Sequence, residues 1–315
     1  MKRWTKWLAA LGAASLMAAC GGGDDDSPGT LAGEATERGF SALVAAADKA
    51  GLVPALSDTS ASLTVFAPTD AAFDSLAKTL GFTDATAMVN ALDSATLAKI
   101  LQYHVLPARK TAADLVAGGA TQDTLYTFEG AAATLALDTA SGVKITDEVL
   151  NVATVTTANV PASNGVIHVI DKVLVPPGVL NVVQMAQANP VFSTLVGAVV
   201  SANLQGALGD PAAQLTVFAP TNDAFAAIAN TVAGLTPTQL STVLTYHVLG
   251  SEVLAADIPF GTPIATLSGQ NITINAGTPA TITDTTAAPA SIVATDVRAS
   301  NGVIHVIDKV ILPAL

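Results

Sequence analysis

Histidine is the residue type here best suited to chemistry, and the chain has only four among 315 residues. They come in two pairs. His104 and His247 each follow a tyrosine in the run Tyr-His-Val-Leu, at 103–106 and 246–249. His168 and His305 each lie in the twelve-residue segment "ASNGVIHVIDKV", which occurs without a difference at 162–173 and 299–310. Imidazole can relay a proton, hold a metal or change charge near neutral pH. Each of those roles needs a partner at workable spacing. On an extended strand successive side chains alternate faces, so His305 shares a face with Val303 and Ile307 while Asp308 lies on the other. Two groups three apart on one strand therefore cannot chelate one metal or form a relay, and a dyad would need its carboxylate from another element. Both faces of "VIHVI" are otherwise apolar, which suits a central strand covered on both sides. A histidine there bonds a ring nitrogen to a backbone or hydroxyl group and packs the rest. We read Asn164, Gly165, His168, Asn301, Gly302 and His305 as a structural motif, with metal ligand and pH-sensitive contact as the other roles open to the two histidines.

Tyr103-His104 and Tyr246-His247 fall where a helical pattern gives way to a strand. Carbonyls at a helix end lack donors, and histidine can supply one. Stronger chemistry is missing from the sequence: it has no Gly-x-Ser-x-Gly elbow, no His-Glu-x-x-His and no glycine loop before Lys-Ser/Thr. Asp70 and Asp74 lie one helical turn apart, but Asn222 and Ala226 stand at the matching positions of the second half. Asp114 and Asp257 do match, and a turn-capping carboxylate accounts for them. We expect no catalytic residue, no metal and no cofactor.

The elements that must position these residues come in duplicate. "FSALVAAADKAGLVPALSDTSASLTVFAPTDAAF" (40–73) aligns without a gap on "FSTLVGAVVSANLQGALGDPAAQLTVFAPTNDAF" (192–225), and the Tyr-His and histidine segments follow in the same order. The repeat is the size of a whole domain, not a solenoid turn. Domain one is expected at 29–177 and domain two at 178–315, joined through the stiff Pro176-Pro177-Gly178. In each, Phe40, Leu43, Val44 and Ala47 or their counterparts recur at helical spacing. "LTVFAP" reads as a short strand stopped by proline, with Thr69 or Thr221 capping the helix after it. Thr236-Pro237 begins the helix that carries Tyr246-His247. The last third of each copy changes to short β-branched runs, and Asn164-Gly165 and Asn301-Gly302 sit in hairpin turns. Helices first and antiparallel strands last make an α+β domain.

"LTVFAPTDAAF", "YHVL" and "NGVIHVIDKVL", in that order and twice over, resemble the first box, the Tyr-His motif and the second box of the fasciclin domain. The resemblance covers nearly all of 29–315. It implies two tandem domains, each a β-sandwich-like wedge of antiparallel strands with a cap of helices. It also implies adhesion or matrix binding in place of catalysis. In some animal members the Tyr-His motif takes part in integrin contact, which makes Tyr103, His104, Tyr246 and His247 candidate interaction residues.

The first 20 residues read as an export signal: Lys2, Arg3 and Lys6, then an apolar run from Trp7 to Ala19. That run is short of the roughly 20 residues of a membrane span. Met17-Ala18-Ala19-Cys20 resembles a bacterial lipobox, so Cys20 is the expected lipidation site, with an ordinary signal peptide as the alternative. Residues 21–28, rich in Gly and Asp, are expected to form a solvated tether. Cys20 is the only cysteine, so the exported part folds without disulfides. Formal net charge is −12, which repels nucleic acid and anionic headgroups. We expect an exported bacterial envelope lipoprotein, at the outer membrane given Gly21 after Cys20, with the membrane reached through the lipid alone. Its expected partner is a protein or glycan on a cell surface or matrix. The alternative is a module that binds a small lipid or glycan in an apolar cleft between helices and sheet.

Overall fold

A computed structural model describes residues 27–315. The export signal, Cys20 and residues 21–26 lie outside the described residues. The first sheet holds seven strands: β1 (Leu63–Pro68), β2 (Val105–Leu106), β3 (Thr121–Phe128), β4 (Ala131–Asp138), β5 (Lys144–Thr146), β6 (Val152–Ala162) and β7 (Gly165–Ile170). The second holds β8 (Leu215–Pro220), β9 (Val248–Leu249), β10 (Pro263–Ala265), β11 (Asn271–Asn275), β12 (Thr281–Thr283), β13 (Ala290–Ala299) and β14 (Gly302–Ile307). Strand order is β2-β1-β7-β6-β5-β4-β3 in one and its counterpart β9-β8-β14-β13-β12-β11-β10 in the other. The class is α+β, as the periodicities predict, with one pairing they do not fix: β1 runs parallel to β7, and β8 to β14. A parallel partner needs a long crossover, and the helices between β1 and β7 begin it.

Those helices start where the sequence places them. Thr69 and Thr221 accept from the backbone amides of Ala72 and Ala224, and Thr236 forms a capping box with Gln239 above Pro237. Alternation along the central strands divides each domain into two apolar layers. Val65 and Ala67 of β1 face the helices Leu31–Glu37, Ser41–Lys49 and Ser94–Tyr103, with Ile167 and Val169 of β7 beside them. Phe66 and Ile170 point the other way, into a layer with Tyr103, Leu115, Leu135 and Ile145. The second domain repeats this with Val217 and Ile304 on the helix side, and Phe218, Ile282 and Ile307 opposite. Strands β7 and β14 are buried at all six positions.

The joint between the sheets is more than a stiff link. Asn151 Nδ2 donates to Ala188 O (2.6 Å) and Asn189 Nδ2 to Val149 O (2.7 Å). Val149 and Val175 pack into the second domain's helix-side core. The Arg298 amide donates to Glu148 (2.6 Å), and its guanidinium contacts Glu129 and Glu252 above the Phe128 ring.

Candidate functional site

The helix Ser94–Tyr103 ends on His104, and the helix Pro237–Tyr246 ends on His247. His104 donates from Nδ1 to Ile100 O one turn back (2.8 Å), and its Nε2 accepts from the Leu174 amide (2.9 Å). His247 does the same with Val243 O (2.7 Å) and the Ile311 amide (3.1 Å). A carbonyl at Nδ1 and an N–H at Nε2 leave only the neutral Nδ1–H tautomer. Burial pushes both imidazoles down to about 4. The preceding tyrosines donate their hydroxyls across to the sheet, Tyr103 to Thr134 O (3.0 Å) and Tyr246 to Asn271 O (2.9 Å). Each Tyr-His pair therefore ties a helix end, a sheet strand and the chain after the last strand. All four side chains are at most 2% exposed, so the Tyr-His residues present no surface to a partner in this structure.

His168 and His305 are wired through the opposite tautomer. Nε2 donates to Lys110 O and to Val253 O, each 2.9 Å away. Nδ1 accepts from the amides of Asn159 and Asp296, each at 3.3 Å. Those amides lie where β6 and β13 slip register against their partners, at residues with φ of 60° and 59°. A bulge leaves an N–H without a ladder partner, and the histidine takes it. Thr64 and Thr216 hold the same loop from the adjoining strand: Thr64 donates to Ala108 O and accepts from the Lys110 amide, and Thr216 donates to Ser251 O and accepts from the Val253 amide. Burial lowers the proton affinity of both histidines.

The turn residues before each histidine are equally occupied. Asn164 accepts from the Leu31 amide and donates to Leu56 O and Asp58 O, while Asn301 accepts from Val182 and donates to Leu208 O and Asp210 O. One amide side chain thus fastens the first helix of its domain and the loop entering the first strand. Gly165 and Gly302 must lack a Cβ, because it would fall 2.2 Å from Leu63 O and 2.0 Å from Leu215 O. Asp70 and Asn222 both accept a helix amide at 2.9 Å, Ala42 and Thr194 respectively, so carboxylate and carboxamide do one capping job. Among the described residues no cluster of three or more His, Cys, Asp or Glu is placed to hold a metal.

Comparison with known proteins finds the same duplication of one domain. The model of the fasciclin domain matches residues 38–176 and again 190–313. The chain belongs to the fasciclin domain family. It is 43% identical over 141 residues to Protein sll1483 of Synechocystis, covering 43% of this chain and 75% of that protein. It is 36% identical over 169 residues to the transforming growth factor-beta-induced protein ig-h3 of Sus scrofa, covering 52% of this chain but only 24% of that protein. A solved FAS1 domain pair from the insect cell adhesion molecule Fasciclin I covers 90% of this chain and 98% of its own, at 19% identity and a TM-score of 0.44.

Sequence reasoning passed over Asp147 and Glu148. Asp147 is 5% exposed and accepts from the amides of Asn151 (2.9 Å) and Val175 (3.0 Å). Burial raises both carboxyls to about 7. In the sequence "ITDEVLN" they look like an ordinary polar turn, and nothing local marks that Glu148 reaches the Arg298 amide of the second domain.

Proposed function

We propose that this chain is a non-catalytic adhesion module of the bacterial cell envelope, exported and held by a lipid on Cys20 at the outer membrane. Its partner is a protein or glycan on a cell surface or matrix. The observation that carries the reading is that all four histidines have both ring nitrogens bonded to backbone groups. No imidazole is left with a free lone pair or a movable proton for a substrate. Adhesion is the role that the family resemblance implies. Two domains on one short joint also suit it, because a second weak contact made from the same body gains effective concentration. The acidic surface argues against nucleic acid.

The test uses the full-length chain, expressed and processed in a bacterium, on whole cells. Cells carrying it should aggregate or retain matrix glycans or proteins saturably, and Cys20→Ala should move the protein into the soluble fraction and abolish retention. No retention on any cell or matrix surface would overturn the adhesive role, and unchanged membrane fractionation of the variant would overturn the anchor.

A further inference from the structure

The helix layer of the first domain does not close fully on its sheet. Between the helices Leu31–Glu37 and Ser41–Lys49 and the inner face of β1 and β7 lies a cavity of about 190 Å³, walled by Leu31, Leu43, Leu52, Leu56, Val65 and Ile167. The second domain has the same space, walled by Val182, Leu195, Leu208, Val217 and Ile304, but there it has shrunk to about 40 Å³. Two pairs of equivalent positions contribute to the difference. Ala47 in the gapless repeat matches Val199, and both line their cavities. Ala32 matches Val183, since the residues just before them, Leu31 and Val182, each donate their amide to the turn asparagine. The larger valines add four carbons in the second domain, and Leu31 opposite the smaller Val182 takes back only one.

An apolar cavity of about 150 Å³ in a protein stays dry and takes benzene or xenon. Left unfilled, such a space weakens the core in proportion to its volume. The first domain therefore keeps open a space that the same fold demonstrably closes. The walls carry no charged side chain: their polar groups are Thr36, Gln102 and the neutral His104, whose ring nitrogens are already bonded. Thr36 is exposed and Gln102 half-buried beside Leu125, itself 42% exposed, which places the mouth there. A carboxylate at this mouth would meet no cation from the walls, on a chain of net charge −12.

We propose that the first domain, and not the second, binds the alkyl end of a free uncharged lipid, an alcohol, ester or amide of a fatty chain, with its head at Gln102 and Thr36. Aliphatic walls supply affinity in proportion to the apolar surface covered, and a neutral head avoids the cost of an unpaired charge.

The test uses the full-length chain with Cys20→Ala, so that no acyl group of its own can fill the site, and octanol as the probe. Titration calorimetry should show one octanol bound per chain, with methyl shifts by nuclear magnetic resonance at Leu43, Ala47 and Ile167. Octanoate at neutral pH should bind at least about tenfold more weakly. Ala32→Val with Ala47→Val installs the second domain's own residues, so folding should persist while octanol affinity falls by at least about tenfold. The reciprocal Val183→Ala with Val199→Ala should create a second octanol site. No octanol binding, equal binding of octanoate, or unchanged affinity in the folded Ala32→Val/Ala47→Val variant would overturn the proposal. Should that variant not fold, failure of the reciprocal variant to gain a site would overturn it instead.

Discussion

In the first domain His104 donates a hydrogen bond to Ile100 O and accepts one from the Leu174 amide, while His168 spans Lys110 and Asn159. In the second, His247 and His305 make the same four bonds to Val243, Ile311, Val253 and Asp296. The volumes around this wiring differ. The first domain holds the open cavity, a capped helix at Ala112–Ala117 and an eight-residue β3. The second holds a nearly closed cavity, a short 3-10 turn at Ala255–Asp257 and a three-residue β10. The physics of the two kinds of feature explains the contrast. A buried polar group left unpaired costs its whole desolvation penalty, so the hydrogen-bond scheme changes all at once or not at all. Methyl groups in a core can be added or removed in small steps, so volume is where two copies can come apart.

The sharpest way to break the equivalence is at the turn glycines. Gly302→Ala and Gly165→Ala should each cost more than about 3 kcal/mol, because the new Cβ meets a backbone carbonyl that cannot swing aside. The loss should be larger at Gly302, where φ is 145°. Chemical denaturation with hydrogen exchange to locate the damaged domain reads this directly, and a cost under 1 kcal/mol at either site, taking about 1 kcal/mol as the ordinary effect of a point mutation, would contradict the close approach. Next come the asparagines. Asn164→Ala and Asn301→Ala each strand three backbone groups, the helix amide among them buried, and should cost about 2–4 kcal/mol. Asn→Asp keeps the acceptor and loses the donors, so it should fall between alanine and wild type in the same denaturation experiment.

The smallest effect belongs to Asp147 and Glu148. Asp147 matches Asp284, which accepts from the Leu312 amide as Asp147 does from Val175, while Glu148 reaches across the joint to the Arg298 amide. Asp147 and Glu148 hold their protons up to about pH 7 through burial, whereas the unfolded chain releases them near the ordinary carboxylate range. Their contribution is therefore present at low pH and lost as pH rises through about 7. Exchange at the Val175 and Asn151 amides, corrected for intrinsic catalysis, should accelerate between about pH 4 and 7 and then level off, while amides beneath His168 and His305 do not accelerate. Glu148→Gln should flatten part of that rise.

Much of this was legible in the sequence. A duplicated twelve-residue segment, a Tyr-His at a helix end and a Thr after Pro68 or Pro220 all encode local geometry, and the caps and the fully covered histidine strands follow from them. The parallel pairing of β1 with β7 was not legible, because its two members lie about a hundred residues apart and either direction satisfies the alternation. The N–H that His168 takes comes from a bulge at Asn159, which no periodicity announces. The cavity turns on Ala32 and Ala47 against Val183 and Val199, and an alanine on a buried helix face reads the same whether the space beside it is filled or open.

The central claim is that the histidines are internal fastenings and not reactive or contact groups, and nitrogen-detected nuclear magnetic resonance of the four imidazoles tests it most directly. His104 and His247 should appear as Nδ1–H tautomers, neutral at pH 6, and His168 and His305 as Nε2–H tautomers that protonate below the ordinary histidine value. Since folding holds His104 and His247 near 4 against the usual 6.5, both domains should lose stability as pH falls from about 6.5 towards 4. A histidine that titrates freely near 6.5 in the folded protein, or that shows the other tautomer, would contradict the account.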